Sequence, residues 1–510
     1  MWTAADQGRN PYSGEPVGAP VPHTTDSAVA AAGDAAGAAA RPLAALGSDR
    51  RADLLDAAAA ALEDHRDELV ALADAETGLG PGRLGGELTR TRVELELFAA
   101  VIREGAFHEA IIDHADPAYA PAPRPDLRRM LVPLGPVAVY AASNFPFAFS
   151  VAGGDTASAL AAGCPVVVKA HSGHPGLSRR TAEVVGAALL EAGAPRGTFA
   201  VVHGTDAGRQ LVRHPAIRAA GFTGSLGGGR ALYDLANTRP DPIPFYGELG
   251  SLNPVVITAG ALAARGAALV QDFAASLTLG TGQFCTKPGL VLLPEGHGLD
   301  DALAAAVAAA PLGPLLNDRI RQGYTTVSAA LARVPGVRPI VAPVAPAGSG
   351  YRVSPALLAV AAHDLAERPG DLLEECFGPA ALLIEYGTAE ELTRTLALLP
   401  GSLTATVHAD PGAEPELVGA LLDGFAERAG RVIFGGWPTG VAVTWAQQHG
   451  GPWPATTNAL HTSVGATGIR RWLRPVAYQD VPDAFLPAAL QDANPLRIPR
   501  RVDGVLRPPA

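Results

Sequence analysis

Apolar positions recur with helical spacing over the first hundred residues of this chain. Between residues 26 and 76 the pattern predicts two or three amphipathic helices. Five apolar residues share one stripe of this pattern: Leu54, Leu55, Ala58, Leu62 and Leu69. A glycine-rich stretch at 78–86 predicts a loop, and residues 87–103 predict a further helix. A helical layer is therefore expected ahead of the first sheet.

From residue 137 onward, short apolar runs alternate with helical patterns. The predicted strands are 137–140, 165–169, 199–202 and 219–223. The predicted helices are 153–162, 177–192, 208–213 and 229–237. Strands that alternate with helices in this way are typical of a mostly parallel sheet covered on both faces. A similar alternation from residue 248 to about residue 466 predicts a second α/β domain.

Two proline-rich segments depart from this pattern. Residues 117–133 predict an extended arm or hairpin, and the tail from 471 to 510 contains one strand-like run at 475–478. We expect the tail to pack on another subunit.

Composition and charge narrow the class of protein. Of 510 residues, 48% are hydrophobic and 17% are charged, so the chain can bury more than one core. The net charge of −11, with no block of Lys or Arg, argues against nucleic acid or an anionic membrane as a partner. The N-terminus has no secretory signal pattern, and the Ala-rich stretch 28–46 is broken by Asp34, Arg41 and Pro42. We therefore expect a cytoplasmic protein.

One cysteine stands in a setting suited to catalysis. Cys285 lies in a glycine-punctuated run between an apolar helical pattern and the strand-like run 290–293, where its sulfur can face a cleft. Glu248 and Asn144 lie upstream and add a carboxylate base and an amide donor. A thiol, a base and an amide donor are the minimum set for chemistry through a covalent acyl-enzyme.

The remaining cysteines and the histidines predict less. The three cysteines lack Cys-x-x-Cys spacing, which favours a reducing compartment and a single reactive thiol over disulfides or zinc. Cys164 and Cys376 are predicted to be packing residues. His171, His174 and His449 lack metal-ligand spacing, so loop or core positions are predicted and no metal is expected.

Six motifs identify a resemblance to a known family. In chain order they are Asn144-Phe145-Pro146, Val168-Lys169, Phe222-Thr223-Gly224-Ser225, Glu248-Leu249-Gly250, Gly282-Gln283-Phe284-Cys285 and Glu374-Glu375-Cys376-Phe377-Gly378-Pro379. This order resembles the aldehyde dehydrogenase superfamily over nearly the whole chain. Longer runs, among them His449-Gly450-Gly451-Pro452, resemble its 2-oxoglutarate semialdehyde dehydrogenase branch. That branch is similar to an NADP-dependent fatty aldehyde dehydrogenase of luminous bacteria.

The resemblance implies an α/β fold of aldehyde dehydrogenase type. It would comprise a Rossmann-type nucleotide-binding domain at 1–117 and 134–250 and an α/β catalytic domain at 251–474. A small oligomerisation element would combine 118–133 with 475–510. A homodimer or homotetramer is the expected assembly.

The resemblance also implies a mechanism. Cys285 would attack the aldehyde as a thiolate, and Asn144 with the backbone N–H of Cys285 would hold the oxyanion. Glu248 would then activate the water that hydrolyses the thioester. We expect its pKa to be raised in an apolar cleft.

Cofactor residues follow from the same resemblance. Lys169 would contact the adenosine ribose. Glu375, with Phe377 beside it, would contact the nicotinamide ribose. Thr223, Gly224 and Ser225 would approach the phosphates at a helix N-terminus. We expect NADP to be preferred and NAD to be accepted. Ser172 stands where NAD-selective members often have a carboxylate. Arg209 can bind the 2′-phosphate of NADP unless Asp206 neutralises its charge.

The substrate prediction is 2-oxoglutarate semialdehyde, a small anionic aldehyde. Arg90 and Arg92 are candidate clamps for its carboxylate, and Phe145 is a candidate lining residue. Lys287 and the run around Arg92 depart from the branch, which leaves a fatty or specialised-metabolite aldehyde as the alternative. A CoA-acylating enzyme is disfavoured by Glu248, and a non-catalytic homologue by the presence of Cys285.

Overall fold

The computed structural model describes residues 4–344 and 348–509. Its helices are α1 (Asp26–Ala45), α2 (Gly47–Asp64), α3 (Arg66–Thr77), α4 (Pro81–Glu104), α5 (Gly154–Ala162), α6 (Pro175–Glu191), α7 (Thr205–Arg213), α8 (Leu226–Thr238), α9 (Ala259–Thr278), α10 (Asp300–Ala309), α11 (Asp318–Leu331), α12 (Ala362–Glu367), α13 (Pro369–Leu372), α14 (Ala389–Leu398) and α15 (Pro415–Ala426). Its strands are β1 (Ala5–Arg9), β2 (Pro16–Pro22), β3 (Ile111–Asp113), β4 (Leu127–Pro133), β5 (Val137–Tyr140), β6 (Val166–Lys169), β7 (Phe199–Val202), β8 (Ala219–Thr223), β9 (Phe245–Glu248), β10 (Val255–Ile257), β11 (Leu290–Pro294), β12 (Arg338–Val341), β13 (Ala356–Ala361), β14 (Ala380–Tyr386), β15 (Ser402–His408), β16 (Ala429–Phe434), β17 (Leu473–Gln479), β18 (Arg500–Val502) and β19 (Val505–Arg507). Not one helix in the two described ranges has both the length and the apolar character needed to span a bilayer.

The first large sheet is a five-stranded parallel sheet in the order β7-β6-β5-β8-β9. The strands predicted at 137–140, 199–202 and 219–223 have these bounds in the structure. Val166, Val167 and Val168 are fully buried, as expected of a strand covered on both faces. Because the strands run the same way, their carboxyl ends form a single edge, and the loops that follow them lie close together.

Helix α4 begins earlier than the sequence pattern predicts. It starts at Pro81, so the loop predicted over 78–86 is confined to the first residues of that stretch. Gly80, with φ of 86°, ends the preceding turn, and Pro81 takes the first helical position, where no N–H donor is needed. Leu84 and Leu88 are fully buried against the core. Their burial outweighs the helix-propensity cost of about 1 kcal/mol for each glycine in this turn.

The second large sheet has seven strands in the order β12-β13-β14-β11-β10-β15-β16. Its strands are parallel except for the antiparallel edge strand β12. The α/β alternation predicted after residue 248 is therefore confirmed. Cys285 lies in the connection from α9 to β11.

The two proline-rich segments pair with each other in a third sheet, ordered β17-β4-β3-β18-β19. Strand β4, the extended part of the segment 117–133, pairs antiparallel with β3, which precedes that segment, and with the tail strand β17. The sheet includes β3, which lies before the predicted boundary at 118. Its tail strand starts at Leu473, slightly before the predicted boundary at 475.

Candidate active site

The backbone around Cys285 is fixed by its neighbours. Residues 280–282 have φ of 56°, 58° and 69°, and the β-branched Thr281 rarely adopts such left-handed values. The amide nitrogen of the buried Asn253 donates hydrogen bonds to the carbonyl oxygens of Cys285 at 2.8 Å and Lys287 at 2.9 Å. These contacts hold the nucleophile's loop in one conformation.

Cys285, His449 and Glu248 form a contiguous polar cluster. Glu248 ends β9 and is only 3% exposed. Its Oε1 lies 2.9 Å from His449 Nε2, and its Oε2 accepts a hydrogen bond of 2.5 Å from Ser463 Oγ. The same Nε2 atom lies 3.5 Å from Cys285 Sγ. Because the ionised Glu248 accepts the Nε2 proton, His449 can donate toward the sulfur but cannot take the thiol proton at that nitrogen.

Burial and charge shift the pKa values in this cluster in opposite directions. Burial, reinforced by the Glu248 charge, raises the pKa of the Cys285 thiol well above its usual value. Burial alone would also raise the pKa of Glu248, but His449 and the Ser463 hydroxyl outweigh it and lower that pKa. The raised pKa predicted for Glu248 from the sequence is therefore wrong, because that prediction lacked these two partners.

Asn144 lies in the loop after β5, beside the nucleophile's loop. Its Nδ2 donates to the Gln283 carbonyl at 3.1 Å, which leaves the second N–H of that amide for another acceptor. The backbone carbonyl oxygen of Asn144 accepts a hydrogen bond of 2.7 Å from the Arg83 guanidinium. The structure thus brings Asn144, Glu248 and Cys285 together.

Aromatic rings and two arginines form the wall next to Asn144. The Phe145 ring packs edge-on against Phe149 and Phe284, with centroid distances of 5.4 Å and 5.1 Å. The Arg83 guanidinium lies 5.2 Å from the Phe145 centroid and 5.0 Å from the Phe284 centroid. The Arg90 guanidinium lies 5.2 Å from the Phe149 centroid. Such contacts hold a cation over an aromatic face.

Arg83, Glu87, Arg90 and Glu94 share one face of α4, spaced by three or four residues. Both Nη atoms of Arg90 are buried and lack a hydrogen-bond partner among the described residues. Its nearest carboxylate, on Glu94, is 4.0 Å away, and burial raises the pKa of Glu94 to about 7. Burial also raises the pKa of Glu87. This face therefore keeps positive charge available near Cys285.

Arg92 does not belong to this wall. Its guanidinium pairs with Glu96 at 2.5 Å and with Glu63 at 3.6 Å. Side chains two residues apart on an α-helix are rotated by about 200° about its axis, so Arg90 and Arg92 point to opposite sides of α4. The structure brings Arg90 to the candidate site and leaves Arg92 outside it.

Several predicted cofactor residues lie at the carboxyl edge of the five-stranded sheet. Thr223 ends β8, and Ser225 is the N-cap of α8, its Oγ accepting a hydrogen bond of 3.3 Å from Gly228 N. The helix thus begins at Leu226 and not at residue 229. The exposed first turn of α8 leaves backbone N–H groups free for an anion.

Lys169 and Arg209 lie on neighbouring elements of this edge. Lys169 ends β6, and a Cβ at Gly208 would come within 3.0 Å of its Cγ, so the glycine lets the lysine cross α7 closely. Arg209 is exposed and pairs with Asp206 at 3.1 Å. Ser172 is exposed in the loop after β6.

Glu375 reaches the site from the seven-stranded sheet. A Cβ at Gly250, two residues after Glu248, would come within 2.4 Å of Glu375 Oε2. Burial raises the pKa of Glu375 to about 7, and the nearby Lys287 opposes that rise. Phe377 follows two residues later in the same turn.

Lys287 connects the segment around Glu375 and Phe377 to the loop that carries Cys285. Its buried Nζ donates to the carbonyls of Cys376 at 3.1 Å and Ala380 at 2.6 Å. The start of α8 offers backbone N–H groups, and the Glu375 carboxyl group lies near Cys285. This donor set can accommodate a dinucleotide cofactor.

Sequence reasoning missed several residues of the site. His449 is buried in a loop, as predicted, but its contacts with Cys285 and Glu248 were not foreseen. Ser463 and Arg83 were missed as well. The one signal for His449 was its place in a run shared with the resembled branch. Cys164 and Cys376 are buried, which confirms their predicted packing role.

The chain is similar to known proteins along most of its length. The model of the aldehyde dehydrogenase family matches residues 2–451. Alpha-ketoglutaric semialdehyde dehydrogenase 2 of Azospirillum brasilense is 50% identical over 466 residues, covering 89% of this chain and 88% of the relative. Alpha-ketoglutaric semialdehyde dehydrogenase of Acinetobacter baylyi is 44% identical over 460 residues, covering 90% and 87%.

A solved structure supports the fold independently. The 1-pyrroline-5-carboxylate dehydrogenase from Thermus with bound NAD superimposes with a TM-score of 0.77 at 22% identity, covering 93% of this chain and 90% of that one. The aldehyde dehydrogenase fold predicted from the motifs is confirmed. By its match over most of its length, this chain belongs to the aldehyde dehydrogenase family.

Proposed function

We propose that this chain oxidises 2-oxoglutarate semialdehyde, also called alpha-ketoglutaric semialdehyde, to 2-oxoglutarate with NAD(P). The names of the two curated relatives support this substrate. The observation that carries the proposal is Arg90, whose two buried Nη atoms lack hydrogen-bond partners among the described residues. A planar guanidinium with two free N–H edges suits a carboxylate.

Local charge supports an anionic substrate despite the net charge of −11. With the pKa of Glu94 raised to about 7 and that of Glu87 raised as well, both carboxyls lose negative charge more readily than exposed ones. The positive charge of Arg90 is thus only partly cancelled by its neighbours. Buried charges act strongly because the surrounding medium has a low dielectric constant.

The reaction starts at Cys285. The thiol proton leaves to solvent, which reaches the partly buried sulfur, and the Nε2–H of His449, 3.5 Å from Sγ, is positioned to stabilise the thiolate. The thiolate adds to the aldehyde carbon and forms a thiohemiacetal. The free N–H of Asn144 and the backbone N–H of Cys285 would donate to its oxyanion.

NAD(P), when bound, supplies the acceptor for the hydride that leaves this carbon. The chain's part is to hold that cofactor. Ser225 and the first turn of α8 would bind its phosphates, Lys169 its adenosine ribose, and Glu375 with Phe377 its nicotinamide end. The product on the enzyme is a thioester of Cys285.

Glu248 would then activate the water that hydrolyses this thioester. Because its pKa is lowered, Glu248 is ionised at neutral pH and can accept a proton. A CoA-acylating enzyme would not need a base at this position. A non-catalytic homologue would have no use for the cluster of Cys285, His449 and Glu248.

We also propose that NADP is preferred over NAD. The support is Ser172 in place of a carboxylate and Arg209 at the edge of the site. The pair of Arg209 with Asp206 is exposed, and such pairs contribute only about 0–1 kcal/mol, so a 2′-phosphate can displace Asp206. Arg209→Ala should raise the KM for NADP about fivefold and leave that for NAD unchanged, whereas Asp206→Asn should lower the KM for NADP.

Arg213→Ala, on the same helix, is the matched control and should change neither constant. An unchanged KM for NADP in Arg209→Ala would contradict this assignment.

A homodimer or homotetramer in a reducing, cytoplasmic compartment completes the proposal. All three cysteines are free thiols, which fits such a compartment. The third sheet is the element that would carry the subunit contacts.

An aldehyde panel tests the substrate. 2-Oxoglutarate semialdehyde, succinic semialdehyde, hexanal and benzaldehyde should be compared by kcat/KM in the wild type, Arg90→Gln and Arg92→Gln. A hydrogen bond to a charged group contributes about 1.5–3 kcal/mol. Arg90→Gln should therefore lower kcat/KM for the two semialdehydes about tenfold to a hundredfold and change hexanal less than about threefold. Arg92→Gln is the matched control and should behave as the wild type.

Two results would overturn the substrate proposal. One is a wild-type preference for hexanal of about tenfold, which corresponds to about 1.4 kcal/mol. The other is an equal loss on all four aldehydes in Arg90→Gln, which would mean that Arg90 supports the loop and not the substrate.

A further inference from the structure

The side chains around Cys285 match the ligand preferences of zinc(II). Cys285 offers a thiol, His449 an imidazole and Glu248 a carboxylate. The ligand atoms of these three groups all lie within 4.8 Å of one another. These are the groups that most often bind zinc in proteins. The three residues come from distant parts of the chain, so sequence spacing could not predict this cluster.

The distances within the cluster are close to those of a tetrahedral zinc site. With bonds of about 2.3 Å to sulfur and about 2.0 Å to nitrogen and oxygen, neighbouring ligand atoms lie about 3.6 Å apart for S···N and about 3.3 Å apart for N···O. Here Sγ and Nε2 are 3.5 Å apart, and Nε2 and Oε1 are 2.9 Å apart. These two distances differ from the tetrahedral values by about 0.1 Å and about 0.4 Å. The third, between Sγ and the Glu248 oxygen, is below 4.8 Å, so small side-chain movements would complete the site.

A second cluster in the described ranges, formed by His297, Asp300 and Glu385, does not offer the same opening. The guanidinium of Arg338 donates to Asp300 at 2.5 Å and to Glu385 at 2.7 Å. Its positive charge already occupies the place of a cation. Among the residues that the structure describes, neither arginine nor lysine donates a hydrogen bond to Cys285 Sγ or to the Glu248 carboxylate.

We propose that Cys285, His449 and Glu248 form an inhibitory zinc(II) site whose fourth position opens to the cleft. Cys285 is only partly buried, so an ion can reach its sulfur from that side. One sulfur atom cannot bind zinc and attack an aldehyde at the same time. Zinc therefore competes with the aldehyde, whatever aldehyde that is.

Binding exchanges one proton and changes no oxidation state. The Cys285 thiol releases its proton to solvent, bonds form from zinc to Sγ, Nε2 and Oε1, and the contact between Nε2 and Oε1 opens. Ser463 continues to hold the second oxygen of Glu248.

The imidazole of His449 sets the strength of the site. When Nε2 binds the ion, the imidazole proton lies on Nδ1, which is buried without a partner in the described part of the chain. Resident zinc sites usually supply an acceptor there. We therefore expect this site to bind zinc more weakly than a resident zinc site does, so that the inhibition is reversible.

Cobalt(II) titration of the reduced, ligand-free enzyme tests the site without aldehyde or cofactor. The wild type should give a thiolate-to-cobalt charge-transfer band that saturates at one equivalent per chain and disappears on adding zinc. The band should be lost in Cys285→Ser and in His449→Gln. His461→Gln is the matched control, because His461 lies in the same region outside the cluster, and it should keep the band.

Alkylation of Cys285 by iodoacetamide gives a second readout. Zinc should slow it at least tenfold in the wild type and His461→Gln and leave it unchanged in His449→Gln, and a chelator should restore the rate. Absence of the cobalt band, or equal zinc protection in His449→Gln, would overturn the proposal. Either result would leave the proposed aldehyde oxidation standing, because neither measurement involves turnover.

Discussion

Glu248 is held at both of its carboxylate oxygens, by His449 and by Ser463. Two hydrogen bonds to the ionised form keep the carboxylate charged in a buried place, where burial alone would favour its neutral form. Such a group can accept a proton from water at neutral pH. It is not suited to act as an acid in the same step.

Substituting Glu248 should therefore separate the two halves of the reaction. Glu248→Gln should retain a pre-steady-state burst of reduced cofactor, because hydride leaves before water attacks. Its steady-state rate should fall about a hundredfold or more, as is typical when a general base is removed. Rapid-mixing absorbance measurements check both phases.

Ser463→Ala is the matched control for this experiment. It removes one hydrogen bond and leaves the base in place, so its steady-state loss should be much smaller. Loss of the burst in Glu248→Gln would place Glu248 before hydride transfer and contradict the assigned role.

The residues of the site differ in how far the sequence could predict them. Cys285, Glu248 and Asn144 stand in motifs whose order along the chain, more than any one motif alone, makes them recognisable. His449 is separated from Glu248 by 201 positions and reaches it only through the tertiary fold. Arg83 was assigned to a loop, so its position on the same face of α4 as Arg90, two turns earlier, could not be derived.

At the scale of elements, the parallel strands were predicted well and helix α4 was not. Fully buried strands such as β5 and β6 read as continuous apolar runs, which are distinct from the helical spacing beside them. The first turn of α4 contains glycines that favour a loop locally. The burial of Leu84 makes this segment helical, and that burial depends on residues far away in the sequence.

Lys287 illustrates the same limit in the loop after the nucleophile. Its charge, unusual for the branch, suggested a different aldehyde. In the structure its ammonium group faces two backbone carbonyls next to the Glu375 turn and takes no part in the substrate wall. Sequence identifies such a residue as unusual but does not give the direction of its side chain.

At the scale of the molecule, the third sheet presents an apolar edge. Strand β19 is exposed, with Val505 at 50% and Leu506 at 65% exposure. An edge strand with exposed apolar side chains can pair with another chain. We expect the wild type to sediment as a dimer or tetramer and Leu506→Asp to shift it toward the monomer.

Leu460→Asp is the control for this measurement. Leu460 is 88% exposed but lies outside the third sheet, so its substitution should leave sedimentation unchanged. A wild type that sediments as a stable monomer would contradict the role assigned to this sheet.

The cleft has a thermodynamic consequence because its two walls belong to different sheets. Ser225 and Lys169 follow strands of the five-stranded sheet, whereas Glu375 precedes a strand of the seven-stranded sheet. A ligand that contacts both walls binds only when the two sheets are docked. At a concentration of 100 times its Kd, such a ligand adds about 2.7 kcal/mol to the free energy of unfolding. Cofactor supply thereby becomes a determinant of how long the folded enzyme persists, and not only of how fast it turns over.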